Sequence, residues 1–273
     1  MDINRFAHTL KTRYAYKTGP THRFIAKTIP GVATAIYYTR LITVITKSSR
    51  IAKRGRYTNE NWNEDSRRIL NIVESAGGRI EISGIQGYAN HPGPLVFIAN
   101  HMSMLDTFAL PSLILPFHRI SYVIKEDLLD YPVFGAIMRA VNPIAVARKN
   151  PRRDLKTVLD VGRKKLADNC SVIIFPQATR SAQFNPAMFN SLGVKLARKA
   201  GVPVVPVALK TDFQQNGRLI KEAGVIKPQN TIHIHFGDPI AVAGSGQETH
   251  REIVAFIRRH LTNLGAVIPS DPM

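Results

Sequence analysis

Three short apolar runs constrain the fold of this 273-residue chain more than any other feature. PLVFIAN (94–100), SVIIFP (171–176) and VPVVPVAL (202–209) are almost unbroken in apolar residues, and each has a proline or a preceding glycine at one end. A run of strand length that does not alternate with polar residues is the pattern of a strand covered on both faces. The stretches around them have helical period: ENWNEDSRRILNIVESAGG (60–78) with Gly77-Gly78 as its stop, TFALPSLIL (107–115), residues 151–168, SLGVKLARKAG (191–201) with Gly201 as its stop, and GQETHREIVAFIRRHLTNLG (246–265). RIEISGI (79–85) and TIHIHFGDPI (231–240) alternate like half-exposed strands, and HRISYVIKED (118–127) reads as strand running into loop. Strands alternating with helices imply an α/β fold with a sheet covered on both sides.

The charge is unevenly spread. The net charge is +18, and residues 1–56 hold twelve Lys or Arg against Asp2 alone. Such a balance calls for a polyanionic partner. Within this segment IPGVATAIYYTRLITVITK (29–47) is apolar on several sides of a helical wheel, with Arg40 inside it and Lys27 and Lys47 flanking it. A helix of this kind docks on a protein core or enters one leaflet with its cations at anionic headgroups, and the surrounding basic residues favour the second. No stretch has the form of a signal peptide, and none is long enough in unbroken apolar residues for a clear transmembrane helix. The expected organisation is a basic, helical, membrane-associating segment over 1–60 and an α/β domain over 61–273. The expected location is monotopic, on the cytoplasmic face of the inner or plasma membrane. The single cysteine, Cys170, excludes a disulfide framework and reads as a small buried residue.

Two motifs carry chemistry. After the first apolar run comes NHMSMLD (100–106), with His101 and Asp106 five residues apart. On a continuous helix they would not face each other. With His101 on a loop and Asp106 in the first turn of the next helix, the carboxylate can accept from one imidazole nitrogen and leave the other as a base. The blander alternative makes Asn100 and Asp106 capping residues and His101 a polar loop residue. After the second run, VIIFPQATRS (172–181) stops at a proline and presents Gln177, Ala178, Thr179, Arg180 and Ser181, side chains suited to anions and hydroxyls. His233 and His235 share one strand face without a third ligand, which reads as a half-exposed sheet face, and no metal site is expected.

NHMSMLD followed by FPQATRS resembles the glycerolipid acyltransferases, particularly the 1-acylglycerol-3-phosphate (lysophosphatidate) acyltransferases, whose motifs are N-H-x-x-x-x-D and F-P-E-G-T-R-S. FGAIMRAVNPIAVAR (134–148), ending on Arg148, and VPVVPVAL with Pro206 resemble two further motifs of that family, so the likeness spans about residues 80–240. It implies a central mixed sheet covered by helices. It also implies acyl transfer from acyl-CoA or acyl-carrier protein, as co-substrate and without a further cofactor, to a lysophospholipid hydroxyl. His101 would be the general base, a role worth ~10²–10⁴ in rate, and Asp106 its orienting partner. Arg180, Thr179, Ser181, Gln177, Arg148 and Lys125 would form the acceptor's binding site. The partners implied are anionic membrane lipids, the lysophospholipid and the acyl donor, with no nucleic acid. The chain departs from the family at Gln177 and Ala178, where Glu and Gly are usual. That leaves open another lysolipid acceptor, or an inactive lipid-binding member.

Overall fold

A computed structural model of the chain describes residues 3–19, 30–177, 179–217, 223–266 and 268. Among the described residues eight strands form one sheet: in chain order β1 (Tyr16–Lys17), β2 (Ile80–Ser83), β3 (Val96–Ala99), β4 (Arg119–Lys125), β5 (Ile144–Val146), β6 (Cys170–Ile174), β7 (Val204–Lys210) and β8 (Ile232–Phe236). Across the sheet they stand in the order β1-β2-β8-β7-β3-β6-β4-β5. The three apolar runs are thus neighbours near its middle. Strands β7, β3, β6, β4 and β5 are parallel, while β8 runs antiparallel to β7 and β1 to β2, so the sheet is mixed. The five parallel strands bring their carboxyl ends to one edge, where open α/β sheets gather their sites.

Alternate residues of β3 explain its unbroken apolarity. Phe97 and Ala99 enter one core and Val96 and Ile98 the other. The first core is closed by α1 (Ile3–Arg13), α2 (Pro30–Lys53), α3 (Asn59–Ser75), α4 (Ile85–Ala89), α5 (Met104–Ile114) and α6 (Phe134–Ala140). The second is closed by α7 (Pro151–Ala167), α8 (Leu192–Ala200) and α9 (Gln247–Asn263). Helix α8 lies close on β3 because Gly193 faces Ile98, where a Cβ would come within 2.6 Å of Ile98 Cδ1. Helix α3 starts on a reciprocal Thr58–Asn61 capping box and ends at Ser75, just before the glycine pair. Cys170 is buried at the start of β6.

Residues 30–53 form one helix, and the apolar stretch proposed from sequence enters it; Ile29 lies outside the described residues. Ala33, Tyr37, Leu41 and Ser48 form its buried stripe. Tyr37 meets Phe213 edge-on at 5.7 Å, and the Tyr38 hydroxyl donates to Gly224 O at 2.6 Å. The opposite face carries exposed Val32, Thr39, Ile42, Thr43 and Lys47. Thr43 and Thr46 turn their hydroxyls onto the carbonyls of Thr39 and Ile42, at 2.8 and 2.7 Å. They therefore direct their hydroxyls inward to the helix backbone. Among the described residues no helix is long and apolar enough to cross a membrane.

Candidate active site

The site grows from the end of β3. Asn100, the first residue beyond the strand, continues the sheet with its side chain: Nδ2 donates to Leu209 O and Oδ1 accepts from Leu209 N, both at 2.8 Å. This pairing directs the chain outward, so His101 stands on a loop. Ser103, in extended conformation, then caps α5, and Asp106 completes a capping box in its first turn. The strand–loop–helix break brings the two side chains together, with His101 Nδ1 2.8 Å from Asp106 Oδ2. Asp106 is both the capping residue and the histidine's partner.

Asp106 is fully buried, while His101 keeps 17% of its side chain exposed. The carboxylate also accepts from Met102 N at 2.6 Å, from Ser103 N at 3.0 Å and, on Oδ1, from the Thr211 hydroxyl. Every neighbour donates, which is the surrounding of an acceptor-only carboxylate. With Nδ1 turned to that carboxylate, His101 keeps Nε2 for a second partner. The imidazole also stacks on Phe175, with centroids 4.2 Å apart and planes 17° from parallel, and Phe175 stacks on Tyr122 behind it at 6.0 Å and 15°.

Tyr122 has a second task. Pro111 lies inside α5 and has no N–H for the Thr107 carbonyl one turn back, and the Tyr122 hydroxyl donates to that carbonyl at 3.2 Å. Burial, aided by the negative charge of Asp106, holds this hydroxyl far above its usual range, so it remains a donor. Ser66 of α3 repairs the next turn: its Oγ accepts from Ser112 N at 2.9 Å and donates to the carbonyls of Phe108 and Ala109. The helix that carries Asp106 is thus held through its proline by two outside hydroxyls.

The residues expected from sequence all lie at the carboxyl edge of the parallel strands. Gln177 is buried, and its Oε1 accepts from His101 N at 2.9 Å. Ser181 N donates to His101 O at 2.9 Å, and Ser181 Oγ accepts from Gln183 N at 3.2 Å. Thr179 is exposed and Arg180 half-buried on the same loop; Ala178 lies outside the described residues. Arg148, exposed two residues beyond β5, has φ +56°, a conformation costly for a non-glycine residue. Lys125 ends β4 and forms an ion pair with Asp127 in the turn that follows. His101, Asp106, Gln177 and Ser181 are therefore joined by direct hydrogen bonds, while Arg148 and Lys125 belong to neighbouring strand ends. Sequence reasoning did not reach Thr211, Ser103, Phe175 or Tyr122. Phe175 lay inside a quoted motif, but nothing local in the sequence marks Thr211.

A narrow, largely apolar pocket lies between α2, α3, α5 and α6, lined by Thr107 and Phe108 of α5 together with Ile45, Trp62, Ile69, Phe134 and Met138. Its one strongly polar wall is Asp65, whose carboxyl burial pushes upward and which accepts from the Ser48 hydroxyl and, at 2.9 Å, from Tyr57. Elsewhere, His233 and His235 stand half-buried on β8 as part of the sheet face, His233 beside Glu81 at 3.5 Å and His235 against Ser83 at 2.6 Å.

Residues 79–210, which hold both motifs, match the Acyltransferase family. A 1-acyl-sn-glycerol-3-phosphate acyltransferase of Pseudomonas aeruginosa is 30% identical over 200 residues, covering 73% of each chain. An enzyme of the same name from Chlamydomonas reinhardtii is 34% identical over 159 residues, covering 58% of this chain and 46% of its own. Among solved structures, the 1-acyl-sn-glycerophosphate acyltransferase PlsC of Thermotoga maritima shares the fold at a TM-score of 0.65 and 17% identity, covering 90% of this chain and all of that one. With its motifs, its mixed sheet and this degree of identity, the chain belongs to the glycerolipid acyltransferase family, of the 1-acylglycerol-3-phosphate acyltransferase type, and is an O-acyltransferase.

Proposed function

We propose that the protein transfers a fatty acyl group to the free hydroxyl of 1-acylglycerol-3-phosphate, giving phosphatidate, with His101 as general base. The observation that carries this reading is the 2.8 Å bond from His101 Nδ1 to a fully buried Asp106, on an imidazole that keeps 17% of its side chain exposed. The acceptor hydroxyl gives its proton to Nε2 as its oxygen attacks the thioester carbonyl of acyl-CoA or acyl-carrier protein. The tetrahedral adduct collapses with cleavage of the C–S bond, and the leaving thiolate takes the proton from the imidazolium, which restores the base. Asp106 orients the imidazole and stabilises the imidazolium, a contribution of ~10²–10⁴ for such a positioned base. No acyl-enzyme is formed.

Arg180, with Thr179 and Ser181 beside it, is the cation suited to the acceptor's phosphate, and Arg148 and Lys125 border the same sheet edge. Residues 1–60 form the membrane-associating element. Val32 and Ile42 are exposed on α2, its Thr43 and Thr46 hydroxyls are satisfied within the helix, and twelve cations accompany it through residue 56. The enzyme then works as a monotopic protein on the cytoplasmic leaflet, where anionic lipids meet those cations.

The deciding experiment offers the purified protein one acyl-CoA and vesicles carrying 1-acylglycerol-3-phosphate or other lysolipids, with products read by mass. Phosphatidate is the expected product, and His101→Ala is expected to reduce its formation at least about 10²-fold without loss of the folded spectrum. A His101→Ala protein that kept more than about a hundredth of the turnover would remove His101 from the chemistry.

A further inference from the structure

Three residues of one loop converge on His101. Phe175 lies flat against its ring at 4.2 Å, Gln177 Oε1 accepts from its backbone N–H at 2.9 Å, and Ser181 N donates to its carbonyl at 2.9 Å. Both polar groups of the His101 backbone are thus taken up by the segment after β6. The ring is held by the same segment on one side and by Asp106 on the other. Gln177 is 5% exposed, and its side chain is turned inward to that backbone.

We infer that Gln177 is a positioning residue for the base: its side-chain oxygen latches the His101 backbone, and it acts on acyl transfer through His101 with little direct part in holding the acceptor. The inference rests on the proposed role of His101. A backbone N–H can be latched only by an acceptor, and a carboxamide and a carboxylate of equal length offer an oxygen at the same place. The departure from the family's Glu at this position therefore leaves the latch intact. A buried amide deprived of its acceptor loses a well-placed hydrogen bond, and the loop that carries it shifts. A shift of about 1 Å in a reacting group costs about 10²-fold in rate.

Of the polar groups beside the ring, Asp106 comes from α5 and Tyr122, from β4, stays protonated behind Phe175; Lys210, the last residue of β7, pairs with Asp212 at 2.9 Å, and Arg180 follows on the loop itself. None of these is altered by a neutral change at position 177, so a change in turnover there reports on the latch.

The test compares three variants of the full chain with wild type, in acyl transfer to vesicle-borne lysophosphatidate. Gln177→Met removes the acceptor atom, Gln177→Asn draws it back by one methylene, and Gln177→Glu keeps it. Met and Asn are expected to lower kcat by about 10²-fold with acceptor KM within about threefold, and Glu to retain kcat within about tenfold. Exchange of the His101 amide with solvent deuterium is expected to quicken in Met and Asn and to stay near wild type in Glu. If the Met protein fails to fold, the Asn and Glu proteins decide. Wild-type kcat in both Met and Asn, a rise in acceptor KM larger than the fall in kcat, or a Glu protein as impaired as Met would overturn the inference. A wild-type protein that transfers nothing to lysophosphatidate would sink the functional reading instead, and the latch would then be judged by amide exchange alone.

Discussion

The Thr211 hydroxyl donates to Oδ1 of Asp106 across 105 residues of chain, and itself accepts from Ser103 Oγ at 2.9 Å. One hydroxyl thereby ties the strand end of β7 to both the cap and the carboxylate of α5. Replacing Thr211 with Val keeps the shape and removes the donor, leaving a buried carboxylate oxygen short of a partner at a cost of about 1–3 kcal/mol. We expect Thr211→Val to lower kcat by about tenfold or more and to lower the melting temperature, with Thr211→Ser close to wild type. Steady-state kinetics beside a thermal melt checks both, and a Val variant with unchanged kcat would separate Thr211 from the site.

Asp106→Asn is expected to be more severe. Four donors point at this carboxylate, and an amide must turn its own NH₂ toward some of them. The imidazole also loses the acceptor that fixes its tautomer. A fall in kcat of ~10²–10⁴ is expected with acceptor KM little changed, measured by initial rates.

Ser66→Ala probes the fold at a distance from the chemistry. Its hydroxyl both accepts from Ser112 N and donates into the turn beside Pro111, so the alanine protein loses both bonds at a buried site. A loss of about 1–3 kcal/mol is expected. That corresponds to about 2–4 °C in melting temperature per kcal/mol for a chain of this size. Calorimetry reads it directly, and an unshifted melt would show that α5 tolerates the break.

Acid should weaken the fold through β8. Burial, followed by the charges of His260 and Arg259, pushes His235 down to about 4. The unfolded imidazole titrates near 6.5, so between these values the unfolded chain binds the extra proton. Stability is therefore expected to fall as pH drops from about 6.5 toward 4, and to fall less steeply in His235→Gln. His118, His233 and His250, each lowered chiefly by burial, act in the same direction. Urea midpoints between pH 4 and 7 give the two slopes, and equal slopes would exonerate His235.

The proposed membrane contact is best tested on the outer face of α2. Phe6, Leu10, Tyr37 and Leu41 are buried in the core shared with the sheet, so removing the whole segment would damage the fold. Val32→Glu with Ile42→Glu touches only exposed positions. Co-sedimentation with anionic vesicles is expected to fall at least about tenfold, since each change exchanges an apolar insertion for a like-charged repulsion. Undiminished binding would move the contact elsewhere.

Much of this architecture was legible in the chain. PLVFIAN, SVIIFP and VPVVPVAL announced doubly covered strands because both neighbours of each strand face are apolar. The spacing of His101 and Asp106 was interpretable because only a strand–loop–helix break unites residues five apart. Other parts were hidden for reasons of distance. Thr211 reaches Asp106 only after β7 has been laid beside β3, and no local pattern encodes that neighbour. The buried stripe of α2 was obscured for the same reason, since Tyr37 meets Phe213 across the fold while the wheel shows apolar residues on several sides. Gln177 was judged against an acceptor because its motif is a binding motif; its bond to the His101 backbone spans 76 residues and two adjacent strands.

The placement of β3 between β7 and β6 also bears on how the molecule is made. Both neighbours are synthesised later than β3, so the strand leaves the ribosome with the N–H and C=O groups of both edges unpaired and its two apolar faces uncovered. The Asn100 pairing waits for Leu209, 109 residues on, and at ~5–20 residues per second that delay is roughly 5–20 s. During it the nascent chain carries His101 and Asp106 without the strand that orders them, and it exposes the surface that chaperones shield. Helix α2 waits longer still, since Phe213, which its Tyr37 meets edge-on, is made after β7.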